Sequence, residues 1–423
     1  MELVLGIDLG TSYFKLVLVD RSGEVKGLGR IAVPTEEPSP GYQEVPPRSM
    51  EHALENAYDQ ALKQADAKPE DIQAVSYSSQ ANSFLLLDGD TIPLSPIILW
   101  SDRRMKEIDE RIESIISHPE YMERTGIGLQ GGKGFAVSKV LWYRDHYPEK
   151  WKKCARIMMI SDYLTHIMTG EPAGDGGTAS LLGIWQPKEM RWWDWALETL
   201  EISPKMLSSL ARPGTVIGTC RGEMSARWGL SSDIPFAVGS LDHHVAGLGV
   251  GVGATADASE SSGTVLACLA LTFDWEPIAD CCLGPHVEES LFYKLAFNNN
   301  GAEALEWYQK KYAPEMTISR LCSLASKVSP GADGLQAKFR PEDYKDLEGF
   351  IGTKSGHGIG HYVRAIMEGV GGSLYHLVNA AAGSDNPESI VATGGGAKSN
   401  LWLQIKADMI GIPFTRNIVS EPG

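Results

Sequence analysis

The sequence has few basic residues for its size. Of its 423 residues, 38 are Lys or Arg and 54 are Asp or Glu, which gives a net charge of −16 at pH 7. A chain this acidic does not attract nucleic-acid backbones or anionic membrane surfaces over a broad area, so neither is an expected partner. Local phosphate binding is still compatible with this charge, because backbone N–H groups bind phosphate without net positive charge.

Cysteine is also scarce, and its spacing matches no common metal-binding motif. The six cysteines contain no C-x-x-C pair: Cys154, Cys220, Cys268, Cys281, Cys282 and Cys322. We expect reduced, mostly buried thiols rather than disulfides or zinc ligands, which fits a cytoplasmic compartment.

Long apolar runs are missing as well. No stretch of the sequence approaches the ~18 apolar residues that a membrane-spanning helix needs. The N-terminal residues Met1–Asp8 lack the basic start and the longer apolar stretch of a signal peptide. We therefore expect a cytoplasmic protein that is not bound to a membrane.

Two common nucleotide-binding signatures are missing too. The segment Ala392–Asn400 reads A-T-G-G-G-A-K-S-N, which fits neither G-x-G-x-x-G nor G-x-x-x-x-G-K-[ST]. It separates a predicted strand from a predicted helix, where bare backbone can approach a base or a phosphate. An ordinary glycine turn is the alternative. An oxidoreductase that binds a nicotinamide cofactor at Gly394 is a further alternative, although an early βαβ unit and a ribose-binding acid are missing.

What is present is an α/β pattern in two halves. The first half is predicted to begin with three antiparallel strands, a helix and two further strands: Leu3–Asp8, Phe14–Asp20, Val25–Val33, a helix from Ser49, Ile72–Tyr77 and Phe84–Leu87. A mostly helical, tryptophan-rich region is predicted from Arg103 to about Arg227, with its indoles packed in the core.

After Pro235 the opening pattern partly recurs. The predicted strands are Phe236–Gly239, Ala256–Ser261, Thr264–Leu271, Leu291–Phe297 and Ile390–Thr393, and the predicted helices are Gly301–Lys311, Ile318–Lys327, Gly360–Ala382 and Ser399–Met409. The similarity of the two halves predicts two related lobes that divide between residues 235 and 236.

The first segment that suggests chemistry is Asp8-Leu9-Gly10-Thr11-Ser12, with Lys15 following. A carboxylate ends a predicted strand, and small residues turn the chain beside it. Such a turn lets backbone N–H groups and hydroxyls approach phosphate oxygens, and a strand-end Asp can bind a metal ion or its water. The alternative is an ordinary hairpin with an acidic residue nearby.

A second small-residue turn, Ser261-Ser262-Gly263-Thr264, connects two predicted strands in the other half. It is a weak signal alone, but it repeats the position of the first turn. Two such bends facing one another could bind a polyphosphate from both sides.

Asp242 is the candidate general base. It follows a short predicted strand and opens a small-residue helix, so its carboxylate can accept the proton of an attacking hydroxyl. A helix N-cap is the alternative role and is compatible with the first. We do not expect His243 and His244 to bind a metal ion, because adjacent residues on a helix point apart.

A set of polar and aromatic residues in the first half suits a polyhydroxylated ligand. Gln80, Ala81, Asn82, Trp100 and Asp102 all follow strand-like segments. An indole packs well against the C–H face of a sugar, and amides and a carboxylate bind its hydroxyls. Core packing for the tryptophan and a helix N-cap for the aspartate are the alternatives.

Taken in order, these segments resemble the FGGY family of carbohydrate kinases, within the actin-like ATPase superfamily. The resemblance covers essentially the whole chain and is carried by Asp8–Lys15, Gly41–Glu44, Ile98–Arg104, Phe135–Lys139, Asp162–Leu164, Arg364–Gly369 and Thr393–Ser399. It implies two RNase H-like lobes with a cleft between them, each with a mixed sheet flanked by helices. Residues 1–235 would form the sugar-binding lobe and residues 236–423 the nucleotide-binding lobe.

The resemblance also implies the reaction and the roles of its residues. ATP, with Mg²⁺, would give its γ-phosphoryl group to a hydroxyl of a small ketopentose or polyol. Asp242 matches the catalytic base and Asp8 the residue beside the metal ion. The matching nucleotide-binding residues are Gly10, Thr11, Ser12, Lys15, Gly263, Thr264, Gly394, Gly395, Gly396 and Asn400. The sugar would contact Gln80, Ala81, Asn82, Trp100, Asp102 and Asp242.

Several positions depart from the family pattern. Xylulose kinases usually have Gln-Met-His, and glycerol kinases Gln-Arg-Glu, where this chain has Gln80-Ala81-Asn82. The resemblance therefore does not identify the sugar. The sequence ends at Gly423, where the family continues, so we expect the final helices of the second lobe to be missing. A nucleotide-binding sensor or scaffold of the same fold is the alternative function, and a homodimer is an open possibility.

Overall fold

The computed structural model describes residues 2–129, 134–263, 265–339, 347–382 and 387–416. Thr264, which is expected in the second phosphate bend, lies outside the described residues.

The elements are numbered in chain order. The first group comprises β1 (Leu3–Leu9), β2 (Tyr13–Asp20), β3 (Val25–Ala32), β4 (Glu44–Val45), α1 (Pro47–Ala65), β5 (Ile72–Ser79), β6 (Phe84–Leu87) and β7 (Ile97–Ile98). The second comprises α2 (Glu110–Ile116), α3 (Tyr121–Thr125), α4 (Ala136–His146), α5 (Pro148–Trp151), β8 (Arg156–Met159), α6 (Ile160–Thr169), β9 (Ala173–Asp175), α7 (Gly176–Ala179), β10 (Trp185–Gln186), β11 (Arg191–Trp192), α8 (Asp194–Leu200), β12 (Ser209–Ala211), β13 (Val216–Thr219) and α9 (Glu223–Arg227). The third comprises β14 (Pro235–Ala237), β15 (Ser240–Leu241), α10 (Asp242–Gly249), β16 (Ala258–Ser262), β17 (Leu266–Thr272), β18 (Cys282–Pro285), β19 (Phe292–Asn298), α11 (Glu303–Tyr312), α12 (Ile318–Ala325), β20 (Gln336–Phe339), β21 (Leu347–Ile351), α13 (Ile359–Ala382), β22 (Ile390–Thr393), α14 (Asn400–Ile410) and β23 (Phe414–Arg416). Short 3₁₀ helices lie at Pro69–Asp71, Pro204–Met206, Ala332–Gly334 and Gly395–Lys398.

The first lobe is built on a mixed sheet in the order β13-β14-β5-β1-β2-β3, with β15 also paired to β5. Strands β1 to β3 are antiparallel, and β1 runs parallel to β5. Alternate residues of β1 are buried, as an apolar face requires. Helix α1 packs directly on β3, because a Cβ atom at Gly29 would lie 1.7 Å from the carbonyl oxygen of Ala57. The predicted opening strands and helix are confirmed.

The region predicted to be mostly helical is not. Short helices alternate with short strands between residues 103 and 227, and β8 joins a second sheet in the order β4-β7-β6-β8. A short apolar run such as Ile157-Met158-Met159 in β8 fits a buried strand as well as a helical turn, so periodicity does not distinguish the two. The tryptophans here mostly pack as predicted: Trp185, Trp193 and Trp228 are buried, whereas Trp195 is partly exposed.

The second lobe is built on a mixed sheet in the order β18-β19-β17-β16-β22-β23. Strand β16 is antiparallel to β17 and parallel to β22. The long helix α13 buries one face against this sheet, in a core that includes Val363, Ile366 and Val370. All six cysteines are free thiols, and Cys220, Cys268, Cys281 and Cys282 are buried.

The predicted division at residues 235 and 236 falls within β14, and the first sheet continues through β15 to Leu241. The exact boundary stays a prediction. An apolar cluster joins the two lobes: Ala81 and Leu241 from the first pack with Ala267, Leu269, Tyr293 and Leu295 from the second. Gly128 N donates to Cys281 O at 2.7 Å and Leu283 N to Gly126 O at 2.9 Å, so main-chain hydrogen bonds tie residues 126–128 to the edge strand β18.

No helix within the described ranges is both long enough and apolar enough to cross a bilayer.

Two carboxyl groups are fully buried in the first lobe. Burial raises the pKa of Asp162 to about 7, and the nearby charge of Asp175 adds to the shift. Burial also raises the pKa of Asp175, which accepts hydrogen bonds from Tyr77 Oη at 2.8 Å and Thr178 Oγ1 at 2.6 Å. Since an exposed Asp has a pKa near 3.9, the folded chain binds more protons than the unfolded chain between about pH 4 and pH 7. Stability is therefore lost as the pH rises through this window.

Replacing Asp162 by Asn should remove the part of this pH dependence that Asp162 contributes. The free energy of unfolding of the unmodified chain should fall by about 2 kcal/mol more than that of Asp162→Asn between pH 5.5 and pH 8. Urea unfolding at both pH values measures the difference. Asp59→Asn, at an exposed position of α1, should keep the original slope. Parallel slopes for Asp162→Asn and the unmodified chain would contradict the expectation.

Candidate active site

Two carboxylates lie near the carboxyl ends of neighbouring strands in the middle of the first sheet. Asp8 on β1 is paired with Ser78 on β5, and Ser78 is in turn paired with Ser240 on β15. Asp242 comes two residues later and is the first residue of α10. The charge of Asp242 contributes to the raised pKa of Asp8, so the two side chains are electrostatic neighbours.

Burial and the neighbouring Lys15 have opposite effects on the pKa of Asp8. Burial is the largest cause of its raised pKa, and the Lys15 ammonium, 3.2 Å from Asp8 Oδ2, acts in the opposite direction. The carboxylates of Asp8 and Asp242 offer the oxygen donors that Mg²⁺ prefers. No cluster of three or more His, Cys, Asp or Glu side chains with metal-binding geometry occurs among the described residues. This donor set fits a magnesium ion that takes its remaining ligands from water and phosphate.

The first predicted phosphate bend is a tight turn beside Asp8. A Cβ atom at Gly10 would lie 2.7 Å from the carbonyl oxygen of Tyr13, so the turn requires glycine. Thr11 and Ser12 are exposed and available to a ligand. Thr11 Oγ1 accepts a hydrogen bond from Trp100 Nε1 at 2.9 Å. The structure thus brings the predicted phosphate bend and the predicted sugar-binding tryptophan into contact.

The polar side chains after β5 are largely engaged with the protein. Gln80 Nε2 donates to Gly10 O at 3.2 Å, and Gln80 Oε1 accepts from Ser83 Oγ at 3.1 Å. Asn82, at φ 60°, donates to Leu181 O at 3.0 Å and accepts from Ala136 N at 2.8 Å. In the structure Gln80 and Asn82 hold the surrounding loops together, and their contact with a sugar stays a prediction.

Asp102 has a full set of hydrogen-bond partners. Its carboxylate accepts from Arg104 Nε and Nη2, each at 2.8 Å, from Arg104 N at 3.0 Å and from Gln43 N at 2.7 Å. A carboxylate has about four lone-pair positions, and all four are used. Asp102 therefore holds the loop that carries Trp100, and its contact with a sugar stays a prediction.

Lys139 supports the same loop, although it is not among the functional residues predicted from the sequence. Its fully buried Nζ donates to Leu99 O at 2.8 Å and Trp100 O at 3.0 Å. Burial lowers the pKa of Lys139 to about 7. The F-A-V-S-K segment contains this lysine. Its contacts with Leu99 and Trp100 could not be predicted, because they lie about 40 residues away in the sequence.

In the second lobe, the predicted bend and the glycine turn are neighbours. Ser261 on β16 is paired with Thr393 on β22, which ends directly before Gly394. Gly394 has a φ of 74°, and Gly395 and Gly396 begin a 3₁₀ helix. The backbone of the glycine turn thus lies beside Ser262, the residue before Gly263, and its contact with a nucleotide stays a prediction.

The last predicted nucleotide-binding residue lies at the start of α14. Asn400 is its first residue, and Asn400 Oδ1 accepts from Arg416 Nη2 at 2.6 Å. The exposed Asn400 side chain is thereby fixed at the end of the glycine turn.

Helix α10 connects the two sides. His243, directly after Asp242, lines a small cavity together with Ser261 and Thr393. The start of α10 therefore faces the second bend. Asp242 itself lies at the same end of the first sheet as the first bend. This places the candidate base at the junction of the lobes.

His244 is part of the core. It is 2% exposed, its ring stacks on Tyr293 at 4.4 Å, and Nδ1 lies 3.2 Å from Ser240 Oγ. Burial, with the nearby His243 and His286, lowers the pKa of His244 to about 3. A neutral imidazole packed in this way anchors α10 beneath Asp242.

A two-lobed α/β fold with glycine bends and a carboxylate at the junction is the architecture of the actin-like ATPase superfamily. The chain belongs to the FGGY family of carbohydrate kinases: the model of the family's N-terminal domain matches residues 3–249, and that of its C-terminal domain matches residues 296–422. It is therefore an ATP-dependent carbohydrate kinase by family. The alternative of a nicotinamide-dependent oxidoreductase has no support.

Named relatives are similar over nearly the whole chain. A xylulose kinase of Staphylococcus epidermidis is 27% identical, covering 98% of this chain and 84% of the relative. A gluconokinase of Bacillus subtilis is 28% identical, covering 96% of this chain and 82% of the relative. Among solved structures, a xylulose kinase from Rhodospirillum rubrum matches with a TM-score of 0.87 at 23% identity, covering all of this chain and 88% of that structure. Plasmodium falciparum glycerol kinase with ADP matches with a TM-score of 0.85 at 17% identity, covering all of this chain and 87% of that structure.

Proposed function

We propose that this kinase transfers the γ-phosphoryl group of ATP to a hydroxyl of a ketopentose or polyol, with Asp242 as the general base. The main supporting observation is the position of Asp242 at the lobe junction. It lies beside Asp8 and the first bend, and the following residue lines a cavity with Ser261 of the second bend.

In the proposed reaction, the sugar hydroxyl oxygen attacks the γ-phosphorus and the bond between that phosphorus and the β–γ bridging oxygen breaks. ADP leaves, and Asp242 takes the hydroxyl proton. His243 N donates to Asp242 Oδ1 at 2.8 Å, which orients the carboxylate. Closing the site to water would prevent hydrolysis from competing with transfer.

Asp8 would hold a magnesium ion, which would neutralise charge on the phosphates. On the first lobe, the backbone at Gly10 with Thr11, Ser12 and Lys15 would contact the phosphates. On the second, Gly263, Gly394, Gly395, Gly396 and Asn400 would contact the rest of the nucleotide.

The half-exposed face of Trp100 is the proposed platform for the sugar, together with the side chains and backbone of residues 80–82 and Asp242. Relatives named xylulose kinase and gluconokinase support a small carbohydrate as the acceptor. The apolar setting of Ala81, against Leu241 and the second lobe, would limit the depth of this pocket.

The decisive experiment is a substrate panel with ATP and Mg²⁺, with ADP release measured by a coupled assay. The panel contains ketopentoses, pentitols, glycerol and gluconate. We expect ADP release that depends strongly on one sugar. Binding of ATP without turnover on any member of the panel would instead favour the nucleotide-binding sensor or scaffold.

Trp100→Phe should weaken sugar binding selectively. The variant keeps an aromatic ring but loses the N–H that bonds to Thr11, and a net hydrogen bond is worth about 0.5–1.5 kcal/mol. We expect KM for the sugar to rise about threefold to tenfold, and KM for ATP to rise less, because the lost bond also held Thr11 of the phosphate bend. Trp195→Phe is the matched control, since both indoles are 36% exposed and Trp195 lies on α8. Equal effects on the two KM values, or none, would argue against this role.

A further inference from the structure

An ion pair is completely buried in the second lobe. Lys406 Nζ on α14 lies 2.5 Å from Glu260 Oε1 on β16, and both side chains are 0% exposed. Ser262 joins them: its Oγ donates to Glu260 Oε1 at 2.5 Å and accepts from Lys406 Nζ at 2.8 Å. The three side chains form one closed polar cluster, here called the Glu260 cluster.

The Glu260 cluster lies directly beneath the proposed nucleotide site. Ser262 is the residue before Gly263, and its carbonyl oxygen lies 3.0 Å from where a Cβ atom of Gly394 would be. A Cβ atom at Gly396 would lie 2.7 Å from Ser262 Cβ and 3.5 Å from Lys406 Nζ. Ser262 is thus enclosed between the ion pair on one side and the glycine turn on the other.

Neighbouring main-chain contacts reinforce this arrangement. Thr393 Oγ1 donates to Glu260 O at 3.0 Å, which ties the end of β22 to β16. Lys406 belongs to the helix that follows the glycine turn. A shift of the ion pair would therefore move the bend and the turn relative to each other.

Burying two opposite charges is a costly way to fill a core, since an apolar pair of similar size is often equally or more stabilising. The charged groups also orient the Ser262 hydroxyl, because it donates to the Glu260 carboxylate and accepts from the Lys406 ammonium. We propose that Glu260 and Lys406 are positioning residues that act through Ser262 Oγ to set the second bend against the glycine turn, and so determine nucleotide affinity. This inference rests on the proposed function, in which both segments bind the nucleotide.

The test compares two double variants without the ion pair. Glu260→Gln with Lys406→Met removes both charges but leaves an amide oxygen to accept from Ser262. Glu260→Leu with Lys406→Met removes both charges and both polar partners of Ser262. Isothermal titration calorimetry with ADP and Mg²⁺ measures affinity without any sugar.

We expect the Glu260→Leu, Lys406→Met protein to bind ADP about threefold to tenfold more weakly, because the Ser262 hydroxyl no longer has an acceptor that fixes its direction. The Glu260→Gln, Lys406→Met protein should stay within about twofold of the unmodified chain. In steady-state kinetics the same loss should appear in KM for ATP, with KM for the sugar unchanged.

Ser262→Ala is a further variant that keeps both charged side chains and removes only the hydroxyl that each of them bonds. It should reproduce the weaker ADP binding, even if a double variant fails to fold. Ser95→Ala is the matched control, because Ser95 is a buried first-lobe serine whose Oγ also donates and accepts one hydrogen bond. It should bind ADP as the unmodified chain does.

Unchanged ADP affinity in folded Ser262→Ala would overturn the inference while leaving the proposed function intact. Equal weakening by Ser95→Ala would overturn it as well, since the effect would then not be specific to the cluster. An unmodified chain that does not bind ADP would contradict the proposed function, and this inference with it.

Discussion

Replacing Asp242 by Asn should lower kcat by about 10²-fold to 10⁴-fold, the range that a positioned general base contributes. Asparagine has nearly the same shape, and its carbonyl oxygen can still accept from His243 N, as Asp242 Oδ1 does at 2.8 Å. What the variant loses is the ability to take a proton from the attacking hydroxyl. The chemical step should therefore slow while the site keeps its form.

The measurement separates chemistry from binding. The rate constant of phosphoryl transfer in a single turnover should fall by the same factor as kcat. ADP affinity and thermal stability should stay close to those of the unmodified chain. Asp194→Asn is the matched control, because Asp194 is likewise the first residue of a short helix, α8. Retention of more than about a tenth of the activity by Asp242→Asn would reject Asp242 as the base.

The opening of the fold could be predicted because its signals are local. Strand β1 alternates buried and more exposed residues, and Gly10 follows Asp8 closely enough for the turn to be read directly. Asp8, Thr11 and Asp242 are likewise placed by short segments in which a strand ends and a turn or helix begins. Local patterns of this kind are typical of sites at strand ends.

The supporting contacts could not be predicted in this way. The sequence marked Asp102 as a sugar ligand, but its four hydrogen bonds include one from Gln43, which is 59 residues away. Ala81 was assigned to the sugar pocket, and its packing against Leu269 and Leu295 of the other lobe depends on how the lobes meet. These features are set by tertiary packing, which no spacing in the sequence records.

The Glu260 cluster is the extreme case, since Glu260 and Lys406 are 146 residues apart. Each residue alone looks unremarkable: one lies in a short strand and the other in a helix. Their pairing becomes visible only when β16, β22 and α14 come together, and the same pairing has a large energetic consequence.

Replacing Lys406 alone by Met should destabilise the second lobe by about 3–5 kcal/mol. The substitution leaves the Glu260 carboxylate 0% exposed and without its cation, and Glu260 Oε2 already has no hydrogen-bond partner. Removing one member of a buried pair costs far more than the pair contributes, because the remaining charge has lost its water and its counterion. Urea unfolding followed by tryptophan fluorescence suits this test, because the Trp402 ring centre lies 5.4 Å from Lys406 Nζ.

The double variant Glu260→Leu, Lys406→Met should recover most of this loss, because it leaves no unpaired charge in the core. Recovery of stability without recovery of ADP affinity would separate the two roles of the pair: the cost of an uncompensated charge disappears, but the orientation of Ser262 does not return. If Lys406→Met alone unfolds like the unmodified chain, the ion pair is not buried as described. If the double variant is as unstable as the single one, the loss comes from packing of the lysine chain rather than from its charge.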